Sequence, residues 1–230
     1  MQKNIVLLHG WGANTRKLQA LASSLETKGW KVLIPEIPGF GAPEPDSVWG
    51  VGDYSKFVLN LASSFFKKDK YFIFGHSFGG RVAIKMSLAE NVAIRGIILC
   101  STGGISRGFL VKRVVFKGLA SLGRAFGNRW KALLYKLARE HDYERASNKM
   151  KKVFQKVIAE DLKPLISKIK FPVLVLWGEE DKITPVKDAY FIANNSKRAS
   201  IFTYKNEGHR LPYEKSDEVA EKIDQWVGNF

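Results

Sequence analysis

Lys70-Tyr71-Phe72-Ile73-Phe74-Gly75-His76-Ser77-Phe78-Gly79-Gly80-Arg81 is the stretch around which the rest of the chain is organised. An unbroken apolar run of β type leads into a Gly-x-Ser-x-Gly pentad, and a helix-like stretch from Arg81 to Glu90 follows. That order predicts strand, sharp turn and helix, with Ser77 at the apex. A serine in such a turn is held in a strained backbone conformation with its hydroxyl exposed above the sheet, and glycines two residues to either side give the crowded backbone clearance. The turn reads as a nucleophile elbow. Gly and Ser are common enough for the pentad to arise by chance, so its weight comes from its flanks and from the partners it has elsewhere in the chain.

A serine hydroxyl is a weak nucleophile near neutral pH unless an imidazole takes its proton, and the imidazole in turn needs a carboxylate to fix its tautomer. Four histidines are present. His9 and His76 lie inside Gly-rich motifs whose geometry points them away from the Ser77 hydroxyl, and His141 sits in a basic stretch among exposed residues. His209, in Asn206-Glu207-Gly208-His209-Arg210-Leu211-Pro212 just past the last predicted strand, is the candidate base. For the acid, Trp177-Gly178-Glu179-Glu180-Asp181 follows the strand before it. Asp181 is preferred, with Glu179 and Glu180 as rivals, and the other loop able to supply an acid, Ser101-Thr102-Gly103-Gly104, has no carboxylate.

Working outward, Asn4 to Leu8, Trp30 to Ile34, Ile94 to Cys100, Phe171 to Trp177 and Ala199 to Tyr204 read as further strands. Between and after them, Asn14 to Lys28, Tyr54 to Phe66, Pro185 to Ala193 and Tyr213 to Trp226 carry helical spacing. Strands alternating with helices imply a parallel sheet covered on both faces, with active groups at the strand carboxyl ends. From Ile105 to Ile169 the strand signal stops. Amphipathic stretches take its place at Phe109 to Phe126, Arg129 to Glu140 and Ser147 to Ile169, the last broken near Pro164.

At 230 residues one domain with an insertion is expected. No stretch approaches the roughly 18 apolar residues of a membrane span. The first apolar run leads directly into His9-Gly10, which leaves no room for a cleavable signal peptide, so the expected location is cytoplasmic. The single cysteine, Cys100, excludes an intramolecular disulfide and any Cys-rich metal site, and reads as a buried small hydrophobe. The net charge of +15 is uneven: residues 105–163 hold 15 Lys or Arg against 5 Asp or Glu.

Taken in order, His9-Gly10-Trp11-Gly12, Gly75 to Gly80, Gly178 to Asp181 and Gly208-His209 resemble the α/β-hydrolase superfamily, over nearly the whole chain. The resemblance implies an α/β-hydrolase fold with a mostly parallel sheet of about six strands, since the usual N-terminal hairpin is missing. It implies a core of residues 1–104 and 170–230 and a helical cap at 105–169. Ser77, Asp181 and His209 match the family order of nucleophile, acid and base. The backbone N–H groups of Trp11 and Phe78 match the oxyanion donors, and the side chains of Trp11, Phe40 and Phe78 are candidate pocket walls. With its basic cap the chain is similar to esterases acting on pimeloyl-acyl carrier protein methyl ester. The cap charge is either a solvated face, a docking surface for an acidic acyl carrier or coenzyme A thioester, or a membrane-facing surface.

The expected activity is that of a cofactor-free, metal-free serine carboxylic-ester hydrolase acting through an acyl-enzyme on a small-molecule ester. Thioesterase, lactonase, lipase and carbon–carbon bond hydrolase chemistry share the same machinery. A non-catalytic small-molecule binding protein is the reading from another class. Nucleic-acid binding would rest on charge alone, with no recognition motif to support it.

Overall fold

The computed structural model describes residues 2–105 and 146–229. Six strands form one parallel sheet: β1 (Lys3–Leu8), β2 (Trp30–Leu33), β3 (Tyr71–His76), β4 (Ile94–Cys100), β5 (Val173–Gly178) and β6 (Ala199–Tyr204), in the spatial order β2-β1-β3-β4-β5-β6. The central strands are apolar on both faces because both are covered. Period-two alternation sends Val6, Ile73, Leu99 and Val175 into one cluster and Ile5, Phe74, Ile98 and Leu176 into the other. Each of these side chains is fully buried, contributing roughly 1.5 to 3 kcal/mol apiece.

Helices α2 (Val51–Phe66) and α3 (Phe78–Met86) cover the first face. The second is covered by α1 (Gln19–Glu26), entered through a 3-10 turn at Thr15–Leu18, and by the C-terminal helix. Among the described residues of the 105–169 stretch are α4 (Asn148–Ala159) and the single turn α5 (Lys163–Ile166), with Met150, Val153, Val157 and Ile166 packed into the first-face cluster. The two predicted helices between Phe109 and Glu140 lie outside the described residues. Gly104 and Leu162 are joined by a bond from the Leu162 N–H to the Gly104 carbonyl, 2.9 Å.

Strand positions follow the expectation closely, and helix boundaries shift for local reasons. α2 begins at Val51 rather than Tyr54, because the Asp53 carboxylate accepts the Gly50 N–H at 2.7 Å and closes the first turn early. α3 starts at Phe78, directly after Ser77, and stops at Met86. The break expected near Pro164 falls at residues 160–162, and the proline sits in the first turn of α5, where its missing N–H leaves no bond unmade. After α6 (Lys187–Asn195), the expected closing helix is two, α7 (Leu211–Glu214) and α8 (Ser216–Val227), divided at Lys215. The chain reverses its order across the sheet between β1 and β3, so the loops after these strands lie side by side at the carboxyl edge.

Candidate active site

Ser77 stands between β3 and α3 with φ 52° and ψ −108°, a conformation that L side chains rarely adopt. The reason is steric. A Cβ on Gly79 would come within 2.3 Å of the Leu8 carbonyl oxygen, and one on Gly75 within 2.5 Å of the Gly79 oxygen, so only glycines let the turn close this tightly. Backbone bonds pin it from both sides: the Ser77 N–H donates to the Cys100 carbonyl at 3.1 Å and the Gly79 N–H to the His9 carbonyl at 3.1 Å. Strain of this kind amounts to about 1 to 3 kcal/mol and persists only where the surroundings over-determine it.

Asp181 and His209 meet across the loops that follow β5 and β6. The His209 Nδ1–H donates to Asp181 Oδ2 at 2.8 Å. That bond fixes the tautomer and leaves Nε2 as the basic nitrogen. Asp181 Oδ1 accepts the N–H groups of Ile183 and Thr184, both at 2.8 Å, and Oδ2 also accepts the Thr184 hydroxyl at 2.8 Å. Burial alone would raise the carboxyl's pKa. The hydrogen bond and charge of His209, with the Thr184 contacts, overcome it and hold Asp181 below the usual carboxylate range. Of its rivals, Glu180 is exposed and Glu179 is exposed with its carboxylate on the Thr203 hydroxyl at 2.8 Å, so neither reaches the imidazole.

The hydroxyl of Ser77 makes no hydrogen bond to His209 among the described residues; in unliganded hydrolases this contact commonly tightens only with substrate bound. The neighbourhood is nonetheless shared. The rings of His209 and His76, the residue before Ser77, lie 4.9 Å apart, and a Cβ on Gly10 would sit 3.4 Å from that of Ser77. Among the described residues no hydrogen bond engages the N–H of Trp11 or of Phe78. Phe78 opens α3, where first-turn amides have no partner within the helix.

The Trp11 indole packs edge-on against Phe40 and Phe78, with centroids 4.7 and 5.5 Å away. Phe154 of α4 closes a third side at 4.8 Å. The three predicted pocket residues are thus brought together, and a fourth joins them from the stretch assigned to the cap. Arg81, one turn into α3, is partly buried and donates to the carbonyls of Val157 and Glu160 at 2.9 and 3.0 Å, clamping the end of α4 to the elbow helix. Cys100 lies fully buried and burial pushes its thiol pKa up, which removes it as a nucleophile. Thr184, Arg81 and Tyr213 were not singled out by sequence reasoning. Their partners are 76 to 203 residues away or defined only by a folded turn, and no local spacing marks them. No cluster of His, Cys, Asp or Glu able to hold a metal ion occurs among the described residues.

A parallel sheet with a strained serine after one central strand and a buried acid paired with a half-buried histidine after the last two defines a hydrolase. Residues 5–222 match the alpha/beta hydrolase family, and the chain belongs to it. It is 24% identical to a carboxylesterase of Bacillus subtilis (strain 168), with 95% of this chain and 89% of the relative covered. It is 22% identical to a pimeloyl-[acyl-carrier protein] methyl ester esterase of Legionella pneumophila (strain Paris), with 97% and 94% covered. Among solved structures, a thermophilic esterase from Thermogutta terrifontis superposes with a TM-score of 0.75 at 19% identity, covering all of this chain and 90% of the other.

Proposed function

We propose that the chain is a serine carboxylic-ester hydrolase working through an acyl-enzyme. The observation that carries this reading is the Asp181–His209 bond of 2.8 Å beside the strained Ser77, a base already in the correct tautomer next to an accessible hydroxyl. His209 Nε2 removes the proton as Ser77 Oγ attacks the ester carbonyl. The oxyanion that forms is held by the N–H groups of Trp11 and Phe78, donors of a type worth about 3 kcal/mol each in a water-excluded site. Collapse expels the alcohol, which takes its proton from the imidazolium, and a water activated by the same nitrogen then releases the acid and regenerates Ser77. Asp181 keeps its charge throughout and stabilises the imidazolium. Trp11, Phe40, Phe78 and Phe154 form an aromatic wall suited to a small or medium acyl group, with Phe154 contributed by α4 of the stretch assigned to the cap.

A second reading is favoured by the excess of positive charge in residues 105–163 and by the likeness to an esterase whose substrate rides on an acyl carrier. In it, the same triad acts on an ester or thioester delivered by an acidic acyl carrier or coenzyme A. The test for both is hydrolysis of a chain-length series of p-nitrophenyl esters beside lactone and coenzyme A thioester substrates, by the wild type and Ser77→Ala. Turnover lost on Ser77→Ala supports the reading, and activity that survives the substitution above about one-thousandth of wild type defeats it.

A further inference from the structure

His76 is the middle residue between Gly75 and Ser77, and its ring is buried against His209 and Tyr213 of the connection after β6 and beside Gly10 of the loop after β1. Its Nε2 lies 2.7 Å from the main-chain carbonyl oxygen of His209. A carbonyl only accepts, so Nε2 carries the hydrogen and Nδ1 is left with a lone pair. Nδ1 lies 3.0 Å from the Tyr213 phenol, which therefore donates to it. The phenol oxygen in turn faces the N–H of Gly10 at 3.4 Å. A single chain of bonds thus runs from Gly10, through Tyr213 and the His76 ring, to the carbonyl of His209.

Each end of that chain touches a different part of the proposed machinery. Gly10 precedes Trp11, an oxyanion donor; His76 precedes Ser77; the carbonyl belongs to the base. We propose that His76 is a positioning residue, fixing the peptide of His209 relative to the nucleophile turn and the oxyanion loop so that only the imidazole's side-chain torsions remain, and those are set by Asp181. The inference rests on the triad reading above.

The requirement explains why a histidine stands here. The group must donate on one side and accept on the other while enclosed, and a neutral imidazole does both. Burial first, then the proximity of His209, pushes the His76 pKa down to about 3, so the ring stays neutral through the range in which an esterase works. Among the described residues the loop carrying His209 has one further backbone tie to β5's end, from the Glu180 N–H to the Glu207 carbonyl at 2.9 Å, and a turn bond from the Leu211 N–H to the Gly208 carbonyl at 3.3 Å, so the His209 carbonyl itself is held by His76.

The experiment compares wild type, His76→Leu, His76→Gln and Tyr213→Phe. It reads kcat and KM on p-nitrophenyl butyrate and the far-downfield proton resonance of the hydrogen-bonded His209 Nδ1–H. Displacement of a catalytic group by an ångström reduces turnover about a hundredfold. His76→Leu is therefore expected to lose about that factor in kcat with KM nearly unchanged, and to lose the resonance. His76→Gln, whose amide offers both a donor and an acceptor, restores both. A folded His76→Leu with wild-type kcat and resonance, or a Gln variant no better than Leu, overturns the proposal. If His76→Leu does not fold, Tyr213→Phe decides: a several-fold fall in kcat at constant KM carries the proposal, and an unchanged kcat overturns it. Should wild type lack esterase activity while the resonance still vanishes in Leu and returns in Gln, the hydrolase reading fails and the positioning role stands; activity indifferent to His76 gives the reverse.

Discussion

At Asp181 two N–H groups, one hydroxyl and one imidazole supply four donors to two oxygens, so the carboxylate can neither rotate nor protonate easily. Asp181→Asn keeps the shape but presents an amide N–H to one of these donors; kcat is expected to fall by about 10⁴, whereas Glu180→Gln, on an exposed side chain, stays near wild type in the same steady-state assay. At Ser77 stability and activity conflict. Relief of about 1 to 3 kcal/mol of strain exceeds the 0.4 to 1 kcal/mol that glycine adds to the entropy of the unfolded chain. Ser77→Gly should therefore abolish turnover and raise the protein's stability by about 1 kcal/mol, and thermal unfolding that shows a lower midpoint refutes this. His76 makes stability depend on pH. Its unfolded value is near 6.5 and its folded value about 3, so between these limits the unfolded chain binds the extra proton and stability falls as pH falls, by up to about 1.4 kcal/mol per pH unit. Urea midpoints measured from pH 7 to pH 4 should drop, and His76→Gln should flatten the slope. Ser77, Asp181 and His209 were legible in the sequence because each follows a predicted strand and a glycine, and because the three come in the order of nucleophile, acid and base. The duties of His76, Thr184 and Tyr213 were not, since they exist only once residues 76 and 209, or 101 and 184, have been brought together.

Among the elements, α4 shows what periodicity conveys and what it omits. Apolar Val153, Phe154 and Val157 at helical spacing announced a helix with one buried face, and all three are buried. The spacing gave no notice of what that face meets: Trp11 on one side, and at the C-terminal end the Arg81 guanidinium, which takes up carbonyls that a helix end leaves unsatisfied. Bonds of a charged donor are worth about 1.5 to 3 kcal/mol each. Arg81→Met should therefore loosen α4 from α3, which hydrogen exchange would register as faster exchange in residues 148–159 with β3 and β4 still protected. Uniform protection across both would show that packing alone holds the helix. The boundary differences at α2 and α8 have the same origin, a carboxylate closing a turn and a lysine outside the helical region ending one, interactions too short-ranged for an eleven-residue pattern to register.

On the scale of the whole molecule, charge is the property that no single contact explains. A net +15, most of it within residues 105–163, creates a field that reaches about 10 Å at 0.1 M salt. If that field recruits an anionic carrier, kcat/KM for acyl-carrier or coenzyme A substrates should fall steeply as salt rises past about 0.1 M while neutral p-nitrophenyl esters hold steady. Equal responses leave the charge as solvation. The basic residues Lys112, Arg113 and Lys117, which reversal to glutamate would test, lie outside the described residues. The parallel sheet itself was readable from strand spacing, and its six-strand order places every proposed reacting group on one edge. The bond between Gly104 and Leu162 has a bearing on this family's diversity. It brings both ends of the intervening excursion to a common doorway, so beyond the packing of α4 the sheet senses only that the doorway is shut. Doubling the excursion's length adds only about 0.6 kcal/mol of closure entropy. Evolution can therefore refurnish this excursion while the loops that carry Ser77, Asp181 and His209, anchored on other strands, keep their register.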